Sequence, residues 1–338
     1  MATTCINVAV IGAGAFGRNH ARVYHQLAQQ GEPLRLVGVV DSDVARADEV
    51  AGEFGCRAFG SIEQLTTTHS EVQAASVAVP TVHHLEVAGM LMEAGIDVLI
   101  EKPLASSLPE ADELIRLAQR LGRIAQVGHL ERFNPAVRAT LPLITQPMFF
   151  EVHRLSVFTP RSLDVDVVLD LMIHDLDVVL SFVESPVKEI RAVGLPILSG
   201  KVDIANVRME FDSGCVANFT ASRVSTERVR KLRFFQPRQY VSVDYSRQDV
   251  LVFTVGGEGQ ADGVPSVNPQ IKVAKPAIVA EEPLHAELKS FLESVRRRSK
   301  PVVSLADGRR ALAAALDVVA TIREHGKKVN LERLRTSG

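Results

Sequence analysis

Ile6-Asn7-Val8-Ala9-Val10-Ile11-Gly12-Ala13-Gly14-Ala15-Phe16-Gly17 decides the fold of the first half of the chain. Its first six residues are apolar and rich in β-branched side chains, so they read as a buried strand. They run directly into G-x-G-x-x-G, and the residues from Gly14 to Gln29 have helical spacing. Strand, glycine turn and helix in that order form a dinucleotide-binding unit. Gly12 permits the tight turn, Gly14 lets the backbone approach a pyrophosphate, and Gly17 lets the helix pack closely. Ala15 and Phe16 open the helix, whose N-terminal amides and positive dipole end suit phosphate.

Further apolar runs follow at Leu34–Val40, Ala74–Val79, Ile96–Ile100 and Ile124–Val127. Helical stretches separate them at Val44–Phe54, Val82–Glu93 and Leu108–Leu121. Continuous apolar strands alternating with amphipathic helices imply a parallel sheet covered on both faces. Residues 1–128 are therefore expected to form a doubly wound α/β domain of the Rossmann type. Residues 129–338 have a different rhythm. A helical patch near Asn134–Ile144 precedes a strand at Phe149–Val157 and a helix over Leu169–Val183. Strand candidates then follow without helices between them, from Glu189 to Val255, as in an α+β domain with an open, mainly antiparallel sheet. The segment Gly256–Lys275 reads as a loop, and helices near Pro283–Arg298 and Leu305–His325 close the chain.

Composition limits the partners. The 338 residues carry 38 Lys and Arg against 40 Asp and Glu, a net charge of −2. That balance lacks the basic field needed for nucleic acid or an anionic membrane. No apolar run approaches the roughly 18–20 residues of a membrane span, and the N-terminus does not read as a signal peptide. Three scattered cysteines without a C-x-x-C argue for a reducing, cytoplasmic setting and against a structural zinc site.

The candidate chemistry lies at strand ends and on one helix. Asp41 closes the second strand where an acid binds the adenosine ribose, and its charge repels a 2′-phosphate, favouring NAD over NADP. Arg46, one turn on, still offers a phosphate partner. Glu101-Lys102-Pro103 ends the fourth apolar run, where ligands of an open α/β sheet gather. A lysine there can hydrogen-bond a substrate hydroxyl and stabilise a developing alkoxide. Asp170 and His174 are four apart on the predicted helix, with Cβ atoms about 6 Å apart. A carboxylate beside an imidazole suits a general base, although the same spacing also serves a structural pair. Asp175 and Asp177 read as structural. The acid–histidine pair has no third ligand at recognisable spacing, so no metal site is expected.

These segments together resemble the Gfo/Idh/MocA family of NAD(P)-dependent oxidoreductases, which act mainly on sugars and cyclitols. The matching residues are Gly12–Gly17 with His20, Val79-Pro80-Thr81 with His84, Glu101-Lys102-Pro103, Asp170 with His174, and Ser304-Leu-Ala-Asp-Gly308. The resemblance implies that Lys102, Asp170 and His174 are catalytic, and that Pro80, Thr81, His84, Glu101 and Lys102 lie beside the cofactor. Many members carry a Gly-Gly-Gly run before that aspartate, where this chain has Asp164-Val-Asp-Val-Val-Leu169. Val127–Pro135 and Asp166–Asp175 further resemble bacterial nucleotide-sugar 3-dehydrogenases of the UDP-N-acetylglucosamine type and their uronic-acid relatives. This narrower likeness implies oxidation of a sugar at C3, with Lys102, His174, Arg132, Asn134 and Arg161 as substrate contacts. An inositol or free-sugar dehydrogenase and a non-catalytic sensor of NAD or sugar are the alternatives. The sensor is disfavoured because both the lysine and the histidine are present. An open sheet needs its outer face covered, so a homodimer or homotetramer through the second domain is expected.

Overall fold

The computed structural model describes residues 5–159, 165–256 and 270–329. The chain divides into two units, Met1–Phe133 with Glu282–Leu312, and Asn134–Glu281 with Ala313–Gly338. A single cut after Gly128, as expected from the sequence, does not describe this division, because a C-terminal segment is gathered with the first unit.

The first unit alternates strands and helices: β1 (Ile6–Ile11), α1 (Ala15–Gln29), β2 (Leu34–Val40), α2 (Val44–Phe54), β3 (Arg57–Phe59), α3 (Ile62–Thr68), β4 (Ala74–Val77), α4 (His84–Glu93), β5 (Asp97–Glu101), α5 (Leu108–Leu121) and β6 (Ala125–Gly128). The six strands form one parallel sheet in the order β3-β2-β1-β4-β5-β6. β1 is buried along nearly its whole length, as its unbroken apolar sequence requires. Asp43, Ser61 and Ser107 cap α2, α3 and α5 by accepting an amide hydrogen three residues ahead, each contributing about 1 kcal/mol.

β3 and α3 escape the sequence reading. Three strand residues and a seven-residue helix are too short to show a period. The third apolar run also ends earlier than expected, at Val77, and α4 begins only at His84 after a 3₁₀ turn over Thr81–His83. Helix α8 (Pro283–Arg297) returns to this unit, where Leu288, Phe291, Leu292 and Val295 share a core with Val23, Tyr24 and Leu27 of α1. That helix packing explains why a late stretch of sequence belongs to an early unit.

The second unit contains α6 (Pro135–Thr140), β7 (Phe149–Val157), α7 (Ile173–Phe182) and β8 (Val187–Leu195) to begin with. It continues with β9 (Ile204–Phe211), β10 (Val216–Ser225), β11 (Val229–Gln236), β12 (Gln239–Asp244), β13 (Asp249–Val255) and β14 (Ile271–Ala274). These eight strands form one sheet ordered β14-β13-β12-β11-β7-β10-β9-β8, antiparallel except where β7 meets β10. β14 lies in the stretch expected to be a loop, and its four residues are exposed at the sheet edge. The helix expected over Leu169–Val183 is a five-residue π turn at Val168–Met172 followed by α7. The chain closes with α8 (Pro283–Arg297) and α9 (Leu305–Lys328), and the division between units falls inside α9. Among the described residues no helix is long and apolar enough to cross a membrane.

Candidate active site

In the first unit a cavity of about 620 Å³ opens beside the glycine loop, within the size range of small-ligand sites. Gly12, Gly14, Ala15 and Phe16 line it, with Asp41 and Pro80. Gly12 has φ +97°, and a Cβ there would meet the Ala78 carbonyl at 2.6 Å. A Cβ on Gly17 would stand 1.7 Å from the Gly12 carbonyl oxygen, so helix and loop touch backbone to backbone. At Gly14 a Cβ would meet nothing within 4 Å, so the loop faces open space at that point. No side chain caps α1, and no acid sits in its first turn. The Gly12 and Ala13 amides are bound within the fold, and the first turn of α1 keeps its dipole for an external anion, which fits a dinucleotide pyrophosphate.

Asp41 lines the same cavity and is held by backbone amides. Its Oδ2 accepts the Ala13 amide at 2.7 Å and its Oδ1 the Asp43 amide at 2.9 Å. A carboxylate has about four acceptor positions, so two remain for ribose hydroxyls. Arg46 stands 3.8 Å from Asp41 and 3.0 Å from Asp43, which ties it to acids. Ser42, Ser61, Glu63 and His83 also line the cavity, and nothing in the sequence singles them out. Ser61 and Glu63 belong to the β3–α3 region, whose short elements leave no pattern. His83 stands in the 3₁₀ turn where a continuous helix is expected.

Lys102 follows β5 and is half-buried. Glu101 beneath it is buried, accepts the Lys102 amide on Oε2 at 3.2 Å, and faces His20 Nε2 with Oε1 at 2.9 Å. Burial pushes the Glu101 carboxyl up. The His20 hydrogen bond and charge, with Lys102, outweigh that and hold it below the usual carboxylate range. Thr81, His84, Glu101 and Lys102 are not among the residues lining the cavity. His84 is 1% exposed, with Nε2 3.0 Å from the Val79 carbonyl and Nδ1 3.1 Å from that of Pro103. Burial lowers its pKa, against the pull of these carbonyls. His84 therefore fastens the turn after β4 to the loop carrying Lys102.

In the second unit His174 lies in the first turn of α7, 9% exposed, and Asp170 sits in the π turn before it. Asp175 is engaged by Arg154 of β7 through two hydrogen bonds of 2.6 and 2.8 Å, both side chains being buried. Arg154 also stands over the Tyr245 ring at 5.3 Å. Breaking such a buried pair typically costs about 3–5 kcal/mol, so Asp175 anchors the helix, as expected for a structural acid.

The expected substrate contacts fare differently. Arg132 stands 3.6 Å from Asp307, whose carboxylate also binds the Ser304 amide and hydroxyl in the capping box of α9. Asn134 is buried and caps α6, accepting the Ala136 amide at 3.0 Å and donating to the Tyr245 carbonyl at 3.1 Å. Both ends of its carboxamide thus serve the backbone. Arg161 lies outside the described residues.

Comparison with known proteins gives matches along most of the chain. Residues 6–129 match the model described as oxidoreductase family, NAD-binding Rossmann fold, and residues 145–239 the GFO/IDH/MocA C-terminal domain. UDP-N-acetylglucosamine 3-dehydrogenase of Acidithiobacillus ferrooxidans is 39% identical over 311 residues, covering 91% of this chain and 95% of that protein. A solved structure of an enzyme of that name from the same organism has a TM-score of 0.84 at 36% identity, covering 94% of this chain and 97% of the other. The scyllo-inositol 2-dehydrogenase (NAD(+)) of Bacillus subtilis is 27% identical over 235 residues, 65% of this chain and 68% of its own length. Identity at this level over nearly two whole chains, with both halves matched in order, reflects common descent: the chain belongs to the Gfo/Idh/MocA family of oxidoreductases, with an NAD-binding Rossmann fold in its first half.

Proposed function

We propose that this enzyme oxidises C3 of a UDP-N-acetylhexosamine to a ketone, with NAD. The observation that carries the substrate class is the near-full-length match to the A. ferrooxidans UDP-N-acetylglucosamine 3-dehydrogenase. NAD, when bound, supplies the acceptor for the hydride leaving the sugar carbon. The glycine loop holds the pyrophosphate and Asp41 the adenosine ribose. Lys102 orients the sugar hydroxyl and stabilises charge developing on its oxygen. His174 takes the hydroxyl proton, and Asp170 orients the imidazole.

The test is a panel of UDP-sugars, free sugars and inositols, each supplied with NAD and followed by NADH absorbance. UDP-N-acetylglucosamine should be oxidised readily and free glucose and myo-inositol poorly. Turnover of myo-inositol without UDP-N-acetylglucosamine would replace this reading by an inositol dehydrogenase. NADH binding without any turnover would favour a sensor.

We further propose a cytoplasmic homodimer or homotetramer that uses the outer face of the eight-stranded sheet. Three unpaired cysteines support the compartment. Support for the interface comes from a row of rings on the face opposite the core. Phe149 stacks on Phe235 at 5.6 Å, Phe235 on Tyr240 at 4.8 Å, and Tyr240 on Phe253 at 5.2 Å. Light scattering after gel filtration should give a dimer or tetramer mass, and replacing Phe235 by Asp should lower it.

A further inference from the structure

We propose that Arg223 is a positioning residue for His174, acting through Asp170. The inference rests on the reading that His174 takes the substrate proton. Arg223 lies near the end of β10, where pairing with β7 shifts register between Ser222 and Ser225. Irregularities of this kind re-aim a side chain and recur beside active sites. The arginine is 6% exposed, an uncommon place for a guanidinium. Its Nη2 donates to the Val165 carbonyl at 2.6 Å and stands 4.0 Å from Asp170 Oδ2. Its Nε lies 3.9 Å from Asp203 Oδ1, and its backbone amide donates to the Asp203 carbonyl at 3.0 Å.

One guanidinium thus stands between two carboxylates of unequal freedom. Asp203 is wholly buried and accepts the amides of Ile197, Leu198 and Ser199 at 2.7, 2.7 and 2.8 Å, and the Ser199 hydroxyl at 2.6 Å. Four hydrogen bonds fix that acid without Arg223, so neutralising Asp203 does not by itself account for the arginine. Fixed behind by Asp203, the guanidinium is preset toward the turn that carries Asp170. Arg154 holds the next residue after His174, Asp175, from β7. Buried arginines from two adjacent strands therefore face acids before and after His174 in the chain, Arg223 at 4.0 Å from Asp170 and Arg154 hydrogen-bonded to Asp175.

The acids on the segment of His174 are Asp170, Asp175 and Asp177; Arg223 of β10 stands 4.0 Å from Asp170, Arg154 of β7 is paired with Asp175, and Asp203 lies 3.9 Å from Arg223. Removing the Arg223 charge leaves the Asp170 carboxylate uncompensated, which raises the basicity of the imidazole. The experiment combines Arg223→Met, Asp170→Asn, the double variant and His174→Asn, with UDP-N-acetylglucosamine and NAD as substrates. Arg223→Met should lower kcat about tenfold with KM within about twofold, and add less than about twofold on the Asp170→Asn background. In the enzyme without cofactor, the His174 ring signal, assigned by its loss in His174→Asn, should titrate at higher pH in Arg223→Met. If Arg223→Met does not fold, Arg223→Lys, which keeps the charge, should retain most of kcat and leave the His174 titration near its wild-type pH, and a tenfold loss in that variant would overturn the proposal.

Wild-type kcat in folded Arg223→Met, or losses that multiply fully with Asp170→Asn, would overturn it as well. A His174→Asn enzyme of full activity would instead overturn the reading beneath it.

Discussion

Glu101 Oε1 stands 2.9 Å from His20 Nε2, joining the end of β5 to the first helix across 81 positions of sequence. The other carboxylate oxygen takes the amide of Lys102, so the main chain of that lysine is fixed from below. Space around the pair is tight, since a Cβ on Gly128 would come within 3.0 Å of the Glu101 carboxylate. The backbone that presents Lys102 is set by buried side chains before any ligand arrives.

Lys102 and His174 are expected to carry the chemical step. Lys102→Met and His174→Asn should each lower kcat by roughly 10²–10⁴, the worth of a positioned acid–base group. NADH affinity should change little, because the glycine loop and Asp41 are untouched. Steady-state kinetics and NADH fluorescence titration check both halves, and a double variant with wild-type turnover would defeat the assignment.

The two glycines of the loop should fail in different ways. Gly14→Ala meets nothing within 4 Å, so the variant should fold normally and lose cofactor affinity where the new methyl fills the pyrophosphate path. Gly17→Ala drives a carbon into the Gly12 carbonyl and should cost several kcal/mol, lowering the melting temperature as well as binding. Thermal melts beside NADH titrations separate the two outcomes. A Gly14→Ala protein that binds NADH at wild-type strength would place the pyrophosphate elsewhere.

Asp41 should set the choice of cofactor. Its charge faces the position of a 2′-phosphate, so wild-type enzyme should bind NADH more tightly than NADPH. Asp41→Ala should narrow that preference by roughly tenfold or more, a change of about 1.4 kcal/mol. An unchanged ratio of the two dissociation constants would show that Asp41 serves only to hold the loop.

Asp203 should make the second unit sensitive to acid. Burial alone would raise its pKa, but the Ser199 hydroxyl and three amides reverse this and bring it down to about 2. An unfolded aspartate titrates near about 3.9, so the unfolded chain binds this proton more readily and the folded state gains on the order of 2 kcal/mol. That gain is complete above about pH 4 and drains away as pH falls toward about 2. Denaturation of wild type and Asp203→Asn should therefore show a stability gap at about pH 6 that shrinks by about pH 3. A gap that stays constant would assign the loss to packing.

The parts legible in sequence are those made locally. A strand, three glycines, a helix and an acid one strand later are fixed by neighbours in the chain, and Gly12, Gly14 and Asp41 line one cavity. Short elements such as β3 and β14 carry too few residues to show a period. The π turn at Val168–Met172 is not distinguished from ordinary helix because a single wide turn of five residues is too short to show a period of its own. His84 and Asn134 also satisfy buried backbone, a duty with the same sequence appearance as binding a ligand. Arg154 and Arg223 are invisible for the opposite reason. In sequence a buried arginine looks like a solvated one, and their acid partners come from distant elements.

Helix α8 joins the core of a unit whose sheet is completed at Gly128, more than 150 residues earlier in the chain. During synthesis the face of α1 bearing Val23, Tyr24 and Leu27 must wait, uncovered, while the whole second sheet emerges. The nascent Rossmann unit thus stays unfinished until α8 has been made. The same fact limits recombination between relatives: a transplanted N-terminal half must bring residues 282–312 with it, or leave an apolar face without its partner.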